Sequence, residues 1–421
     1  MPGSVSFDFA RSKRVAPAVR ALGLAAGMIV LAACAQNTVS VNSQAVPDVI
    51  PPTSTGAQAP ATQPFVAPSG PEGLVIDADT VRVALLVPLS GRASSVGSAL
   101  RNAAEMALFD VADDRFALAI HDTQSTGPGA VAAARRAIAD GAQLILGPLF
   151  GGSTGEVGAL ARASGIPVLS FSNNIAVASN GVWVFGLLPA DQVRRVVSYT
   201  AATGVRDFGA ILPQTAYGDA VRAALLDATA VAGLPPPRIA TYSASAETTE
   251  LAQIVKSFAS GYRPGAVLIP DGGAALRSIA PLLAFYDIAP ESTHYLGSAL
   301  WSDPTIGQET TLVGGWFAAP SPVVRQDFQD RYRGLFGEVP PGLASLGYDA
   351  VSMAAVLARQ PGGPAFDAVS MTQPSGFLGA DGVFRLLPDG GNQRGLAILR
   401  VTNDGFVVED PAPQSFELLI N

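Results

Sequence analysis

The chain has 421 residues, 48% of them hydrophobic and 14% charged, with a formal net charge of −8. That balance is globular and not disordered, and an acidic chain without basic clusters is a poor candidate for nucleic acid or an anionic membrane surface. The length exceeds what one hydrophobic core usually serves, so two domains are expected.

Arg11, Lys13, Arg14 and Arg20 precede an uncharged run from Ala21 to Ala33. A membrane-spanning helix needs about twenty apolar residues, so this run is too short to cross and reads as a signal peptide over 1–33. Cys34, the single cysteine of the chain, follows directly. It has no second cysteine to pair with. Leu31-Ala32-Ala33-Cys34 resembles a bacterial lipobox, which implies that Cys34 is lipidated and becomes the mature N-terminus. Ala35 after the cysteine resembles the sorting signal for the outer membrane in preference to the inner one. The expectation is a periplasmic, lipid-anchored protein. Removal of residues 1–33 takes four cations and one anion from the chain and leaves a net charge of −11.

Residues 35–72 carry seven prolines, no Lys or Arg, and one aromatic, Phe65. Such a segment cannot bury enough apolar area to order itself. Residues 34–78 are therefore expected to be the lipidated cysteine plus a Pro-rich linker. As a flexible coil it reaches roughly 35–40 Å, and about 145 Å fully extended.

From Val81 the pattern alternates between strand and helix. "VRVALLVPLSG" is a buried apolar strand closed by a turn, and Leu100, Ala103, Ala104, Ala107, Leu108 and Val111 then fall at helical spacing. "FALAIHDTQS", "QLILGPLF" and "IPVLSFS" read as strands, with "AVAAARRAIADGA" and "STGEVGALARASG" as the helices between them. The series restarts with "FGAILPQTAYGDAVRAALLDATAVAG" and runs on through "AVLIPDGG" to "HYLGSALW". Two βα series predict two α/β lobes, each a parallel sheet flanked by helices with right-handed crossovers. "ADG", "PDGGN" and "NDG" predict hairpins, so the chain should end in antiparallel strands.

Ligands of open α/β sheets bind beyond the carboxyl ends of the strands, so the candidate residues are those that follow strands. In "GPLFGGSTGEVG", Ser153 and Thr154 stand at a helix start, where N–H groups and the dipole favour an anion such as a carboxylate. Both can equally cap that helix. Ser170, Ser172 and Asn173 follow the next strand in "SFSNN". In the other lobe, "QTAYGDA" places Tyr217, "PDGGA" places Asp271, and "SALWSDP" places Trp301 and Asp303 in corresponding turns. "GGSTG" also fits the G-x-S-x-G nucleophile elbow, and Ser153, Asp271 and His294 can be written as a triad. However, Asp271 and His294 belong to the second series, whereas hydrolases hold all three on one sheet. His121 and His294 lie far apart without carboxylates at ligand spacing, and neither a P-loop nor G-x-G-x-x-G is present. No enzyme, metal site or cofactor is expected.

"VALLVPLSG", "AIADGAQLILGPLFGG", "LARASGIPVLSFS", "LPQTAYGDA" and "LASLGYDAVSMAAVLA" resemble the type I periplasmic binding proteins of the leucine/isoleucine/valine-binding family. "IAPLLAFYDI", "HYLGSALWSDPTI", "LVGGWFAAP" and "GADGVFRLLPDGGNQRGLAILRV" are most similar to the penicillin-binding protein activator lipoproteins of that family. The resemblance implies two Rossmann-like lobes in a Venus-flytrap arrangement. Three hinge crossings would fall near Leu188–Asp191, Ala318–Ser321 and Gly391–Leu396. Lobe 1 would comprise 79–188 and 321–394, and lobe 2 would comprise 189–320 and 395–421. It also implies a cleft in which Ser153 and Thr154 take a ligand carboxylate beside Ser170, Ser172 and Asn173, facing Tyr217, Asp271, Trp301 and Asp303. Amino-acid binders of the family carry a Thr in the second loop, where this chain has "SFSNN", so the guest is left open. Two functions are implied. One is activation of a penicillin-binding protein in peptidoglycan synthesis by protein contact. The other is capture of an amino acid or related solute for an ABC permease.

Overall fold

The computed structural model describes residues 80–416. The expected signal peptide, Cys34 and the linker lie outside the described residues, as do residues 417–421. The first series gives β1 Val81–Val87, α1 Ser94–Val111, β2 Phe116–Asp122, α2 Gly127–Ala139, β3 Leu144–Leu146, α3 Gly151–Ala163, β4 Val168–Ser170 and β5 Val182–Val184. These strands form one five-stranded parallel sheet in the order β2-β1-β3-β4-β5. β1 reads as an apolar run with no alternation because helices cover both of its faces.

The second series gives α4 Pro189–Ala202, β6 Phe208–Pro213, α5 Ala216–Val231, β7 Arg238–Tyr242, α6 Thr248–Ala259, β8 Ala266–Leu268, α7 Gly273–Phe285, β9 His294–Gly297 and β10 Trp316–Ala319. Next come α8 Pro322–Phe336, α9 Ala344–Ala358, α10 Ala368–Met371, β11 Phe377–Gly379, β12 Gly382–Leu386, β13 Asn392–Arg394, β14 Ala397–Thr402 and β15 Gly405–Asp410. The second sheet has seven strands in the order β15-β14-β10-β9-β8-β6-β7; β14 runs antiparallel to both of its neighbours, β10 and β15, and the other strands are parallel. β11, β12 and β13 make a small antiparallel sheet of their own.

The chain passes between the two lobes three times: after β5, after β10 and after β13. α8 and α9 return to the first lobe, where residues of α9 join the core built on β1, β3 and α1. α9 is buried almost all round, which its composition, with no charge but Asp349, permits. α1 and α9 approach closely at Gly347, where a Cβ would stand 2.2 Å from the Leu100 carbonyl oxygen. The fold is the two-lobed α/β architecture expected from the alternating pattern and the hairpin signals.

Candidate functional site

The sequence candidates follow the carboxyl ends of strands in both sheets, one group in each lobe. In the first lobe, Gly147 at φ +99° turns the chain after β3; a Cβ there would meet the Leu86 carbonyl oxygen at 2.2 Å. α3 then begins at Gly151, two residues before Ser153. The hydroxyls of Ser153 and Thr154 therefore turn back and donate to the Phe150 carbonyl at 3.0 and 3.2 Å, the usual alternative for such residues inside a helix. Neither is the cap, because Phe150 occupies that position.

Thr154 and Ser170 are fully buried, 2.8 Å apart, and Ser170 also donates to the Pro148 carbonyl at 3.1 Å. Their expected role on the cleft surface is corrected: they tie α3 to β4 beneath the wall. Ser172 is nearly buried and accepts from the Asn174 amide at 3.1 Å, while Asn173 is exposed. What the first lobe offers an anion is narrower than the expected set. It is the first N–H groups of α3 at Gly151 and Gly152, with Ser172 close beside Gly151.

In the second lobe, Thr215 caps α5 by accepting from the Gly218 amide at 3.1 Å, which sets Tyr217 in the first turn. The Tyr217 hydroxyl lies 3.1 Å from the Pro270 carbonyl and 3.0 Å from the Ser298 hydroxyl. Burial, with the Asp271 charge adding, pushes it up to about 12. Asp271 accepts from the Tyr242 hydroxyl and, at 2.8 Å, from the Gly272 amide. Tyr242 is the residue that sequence reasoning missed. It ends β7, and the rule of looking beyond strand ends would have found it. Burial, then the adjacent carboxylate, raise its pKa above the ordinary tyrosine value.

Trp301 is corrected from cleft to core. It is fully buried, and its indole N–H reaches the carbonyls of Ile269 and Asp271 at 3.0 and 3.1 Å. The short helical turn after β9 folds it back over Gly297, where a Cβ would clash with the indole at 2.2 Å. Asp303 accepts from Thr305 at 2.8 Å and from Arg277 at 3.2 Å; these contacts hold its carboxyl below the usual range, Thr305 contributing most. Ser153, Asp271 and His294 do not meet. His294 opens β9 at the far end of its sheet and stacks on Trp316 at 4.2 Å.

Each hydrogen bond of these site residues stays within its own lobe. The bonds that span the connections lie below, at the crossings. The Asn392 side-chain amide donates to the Val184 and Gly186 carbonyls, both at 2.9 Å. Arg394 donates from its backbone to Asp191 at 3.3 Å and from its side chain to the Phe185 carbonyl at 3.2 Å. Within the second lobe, beside the first crossing, Gln192 accepts from the Ala299 amide at 2.7 Å. Among the described residues, no helix is long and apolar enough to cross a membrane, and no group of three or more His, Cys, Asp or Glu stands where it could hold a metal ion.

A leucine-binding protein from Thermotoga maritima shares this fold at 18% identity and a TM-score of 0.59, over 79% of this chain and 99% of that one. A putative branched-chain amino acid ABC transporter protein from Rhodospirillum rubrum does so at 17% identity and a TM-score of 0.67, over 78% and 99%. An uncharacterized protein of Rickettsia prowazekii is 30% identical over 141 residues, which is 34% of this chain and 38% of that protein's length. Residues 80–405 match the profile described as periplasmic binding protein. With that match spanning both lobes, the chain belongs to the periplasmic binding protein family.

Proposed function

We propose that this chain is a membrane-anchored lipoprotein of the binding-protein fold that activates a penicillin-binding protein in peptidoglycan synthesis through protein contact. One observation carries the reading: the polar side chains expected to seize a ligand are engaged inside their own lobes. Thr154 bonds Ser170, Tyr242 bonds Asp271, and Tyr217 bonds Pro270 and Ser298. A guest bonding Tyr217, Tyr242 or Asp271 would have to break these partly buried contacts, each worth about 1 kcal/mol of net stabilisation. The resemblance of "HYLGSALWSDPTI" and the chain's ending to the activator lipoproteins supports the same reading, as does a Pro-rich segment after Cys34 long enough to hold the lobes off a bilayer.

The test is addition of the purified chain to a penicillin-binding protein from the same cells. Glycan polymerisation or cross-linking should rise, and the rise should survive Tyr217→Phe. No stimulation by any such synthase of those cells would overturn the reading.

A second reading is solute capture for an ABC importer. It is favoured by the leucine-binding and branched-chain relatives and by the N–H groups that open α3, which suit a carboxylate.

A further inference from the structure

The first sheet has a bare edge at β2. The Val81 amide donates to the Arg115 carbonyl at 2.7 Å, and the Thr123 amide donates to the Val87 carbonyl at 3.0 Å. With those bonds at its two ends, β2 turns the backbone groups of Ala117, Ala119 and His121 toward β1. Phe116, Leu118 and Ile120 alternate with them and turn theirs outward. Among the described residues β2 pairs with no strand but β1, and nothing meets the amides and carbonyls of Leu118 and Ile120.

The other three edges of the two large sheets are covered or blunted. Val184 of β5 donates to the Gly390 carbonyl at 2.8 Å, and the Asn392 side chain takes its carbonyl. Pro235, Pro236 and Pro237 lead into β7. β15 bulges at Glu409, ends in Asp410 and runs into Pro411. Prolines, charges and bulges keep stray strands off a sheet edge. From Phe116 to Ile120, β2 has none of them. Its Ala117 and Ala119 side chains are exposed and too short to screen the backbone, while Leu118 and Ile120 rest half-buried on the core at the other face.

A row of free N–H and C=O groups at strand spacing matches another extended chain, which adds to the sheet by the same ladder. Charge narrows which chain. The sequence has a net charge of −8, so a second copy is repelled. Arg115 stands 3.4 Å from Asp113, whereas Asp114, two residues before the strand, is exposed and makes no ion pair among the described residues. A cation at the end of the incoming strand suits that position.

We propose that β2 takes an extended segment of a protein partner as a sixth strand, an uncharged stretch of alternating apolar residues with Lys or Arg beside Asp114. The inference rests on the reading that this chain acts through protein contact, and gives that contact a place.

The test puts the photo-cross-linking residue p-benzoylphenylalanine at position 119 of the whole chain in living cells. Illumination should give an adduct with another protein, and mass spectrometry should place the link in a segment of that composition. Leu118→Pro removes an outward amide and no bond to β1, whereas Leu118→Ala loses the same side-chain packing and keeps the amide. The proline variant should yield about tenfold less adduct than the alanine variant, at matched melting temperature. Asp114→Lys, on the surface, should lower the yield as well. No adduct, an adduct only within or between copies of this chain, or equal yields from Leu118→Pro and Leu118→Ala would each overturn the proposal. Should the proline variant fail to fold, a yield unchanged by Asp114→Lys overturns it. An amide-dependent adduct with a protein that is not a penicillin-binding protein would uphold the edge site and overturn the activator reading.

Discussion

Arg394 and Asp349 form a buried ion pair at the base of the hinge: Nη1 of the arginine donates to Oδ2 of the aspartate at 3.0 Å, and the two side chains are 4% and 0% exposed. The guanidinium also lies 4.5 Å from the Phe185 ring and 5.3 Å from the Phe384 ring. Because its backbone reaches Asp191 and its side chain reaches the Phe185 carbonyl, this one residue joins the first and third crossings to α9. Removing one partner of such a pair leaves an uncompensated buried charge. Arg394→Met should therefore cost about 3–5 kcal/mol in urea unfolding. Arg394→Met combined with Asp349→Leu should recover most of that loss, and equal losses for single and double variants would contradict the assignment.

The same pair sets a pH dependence. Burial, against the pull of Arg394, pushes Asp349 up to about 6. In the unfolded chain its pKa returns to about 3.9. Between these values the folded state holds more protons at this site, so its contribution to stability falls as pH rises from about 4 to about 6. Arg394, Asp381, Arg325 and, beyond Arg394, Asp191 face this carboxylate, and the lowered pKa of Asp381 gives the opposite slope at more acid pH. Urea midpoints of wild type and Asp349→Asn should converge as pH rises through this window. Parallel curves would show that Asp349 does not titrate there.

Close packing of α1 on α9 makes Gly347 intolerant. Gly347→Ala places a methyl 2.2 Å from the Leu100 carbonyl and should destabilise the chain by about 1–3 kcal/mol. Gly155→Ala, in α3 with open space around it, should instead stabilise by up to about 1 kcal/mol. Thermal melts of the two variants check both signs.

Trp301 supplies the test of core against cleft. Trp301→Ala should cost about 3–5 kcal/mol by emptying a buried indole site. A folded variant of unchanged stability would return Trp301 to the cleft wall.

The fold was legible because its signals are local and repeated. Buried parallel strands such as "VRVALLV" read as unbroken apolar runs, and "NDG" announces the β14–β15 hairpin. The loops that follow the strands were legible too, since strand ends can be counted. Which side chains face outward was not. Two extra residues at the start of α3 turn Ser153 and Thr154 inward, and that shift depends on the Gly147 turn against Leu86. Trp301 looked like a loop aromatic because its burial depends on Gly297 and on carbonyls of another strand's loop. Asp349 and Arg394, 45 residues apart, gave no sequence signal for their pairing.

The central claim is that the cleft's polar side chains hold each other and not a solute. Calorimetric titration measures this most directly, with the chain unfolded and refolded to strip any guest, then titrated with pooled amino acids, peptides and muropeptides. The account predicts no binding heat from the amino-acid pool. Tight binding of a small amino acid, lost in the Ser172→Ala/Tyr217→Phe variant, would contradict it and establish solute capture.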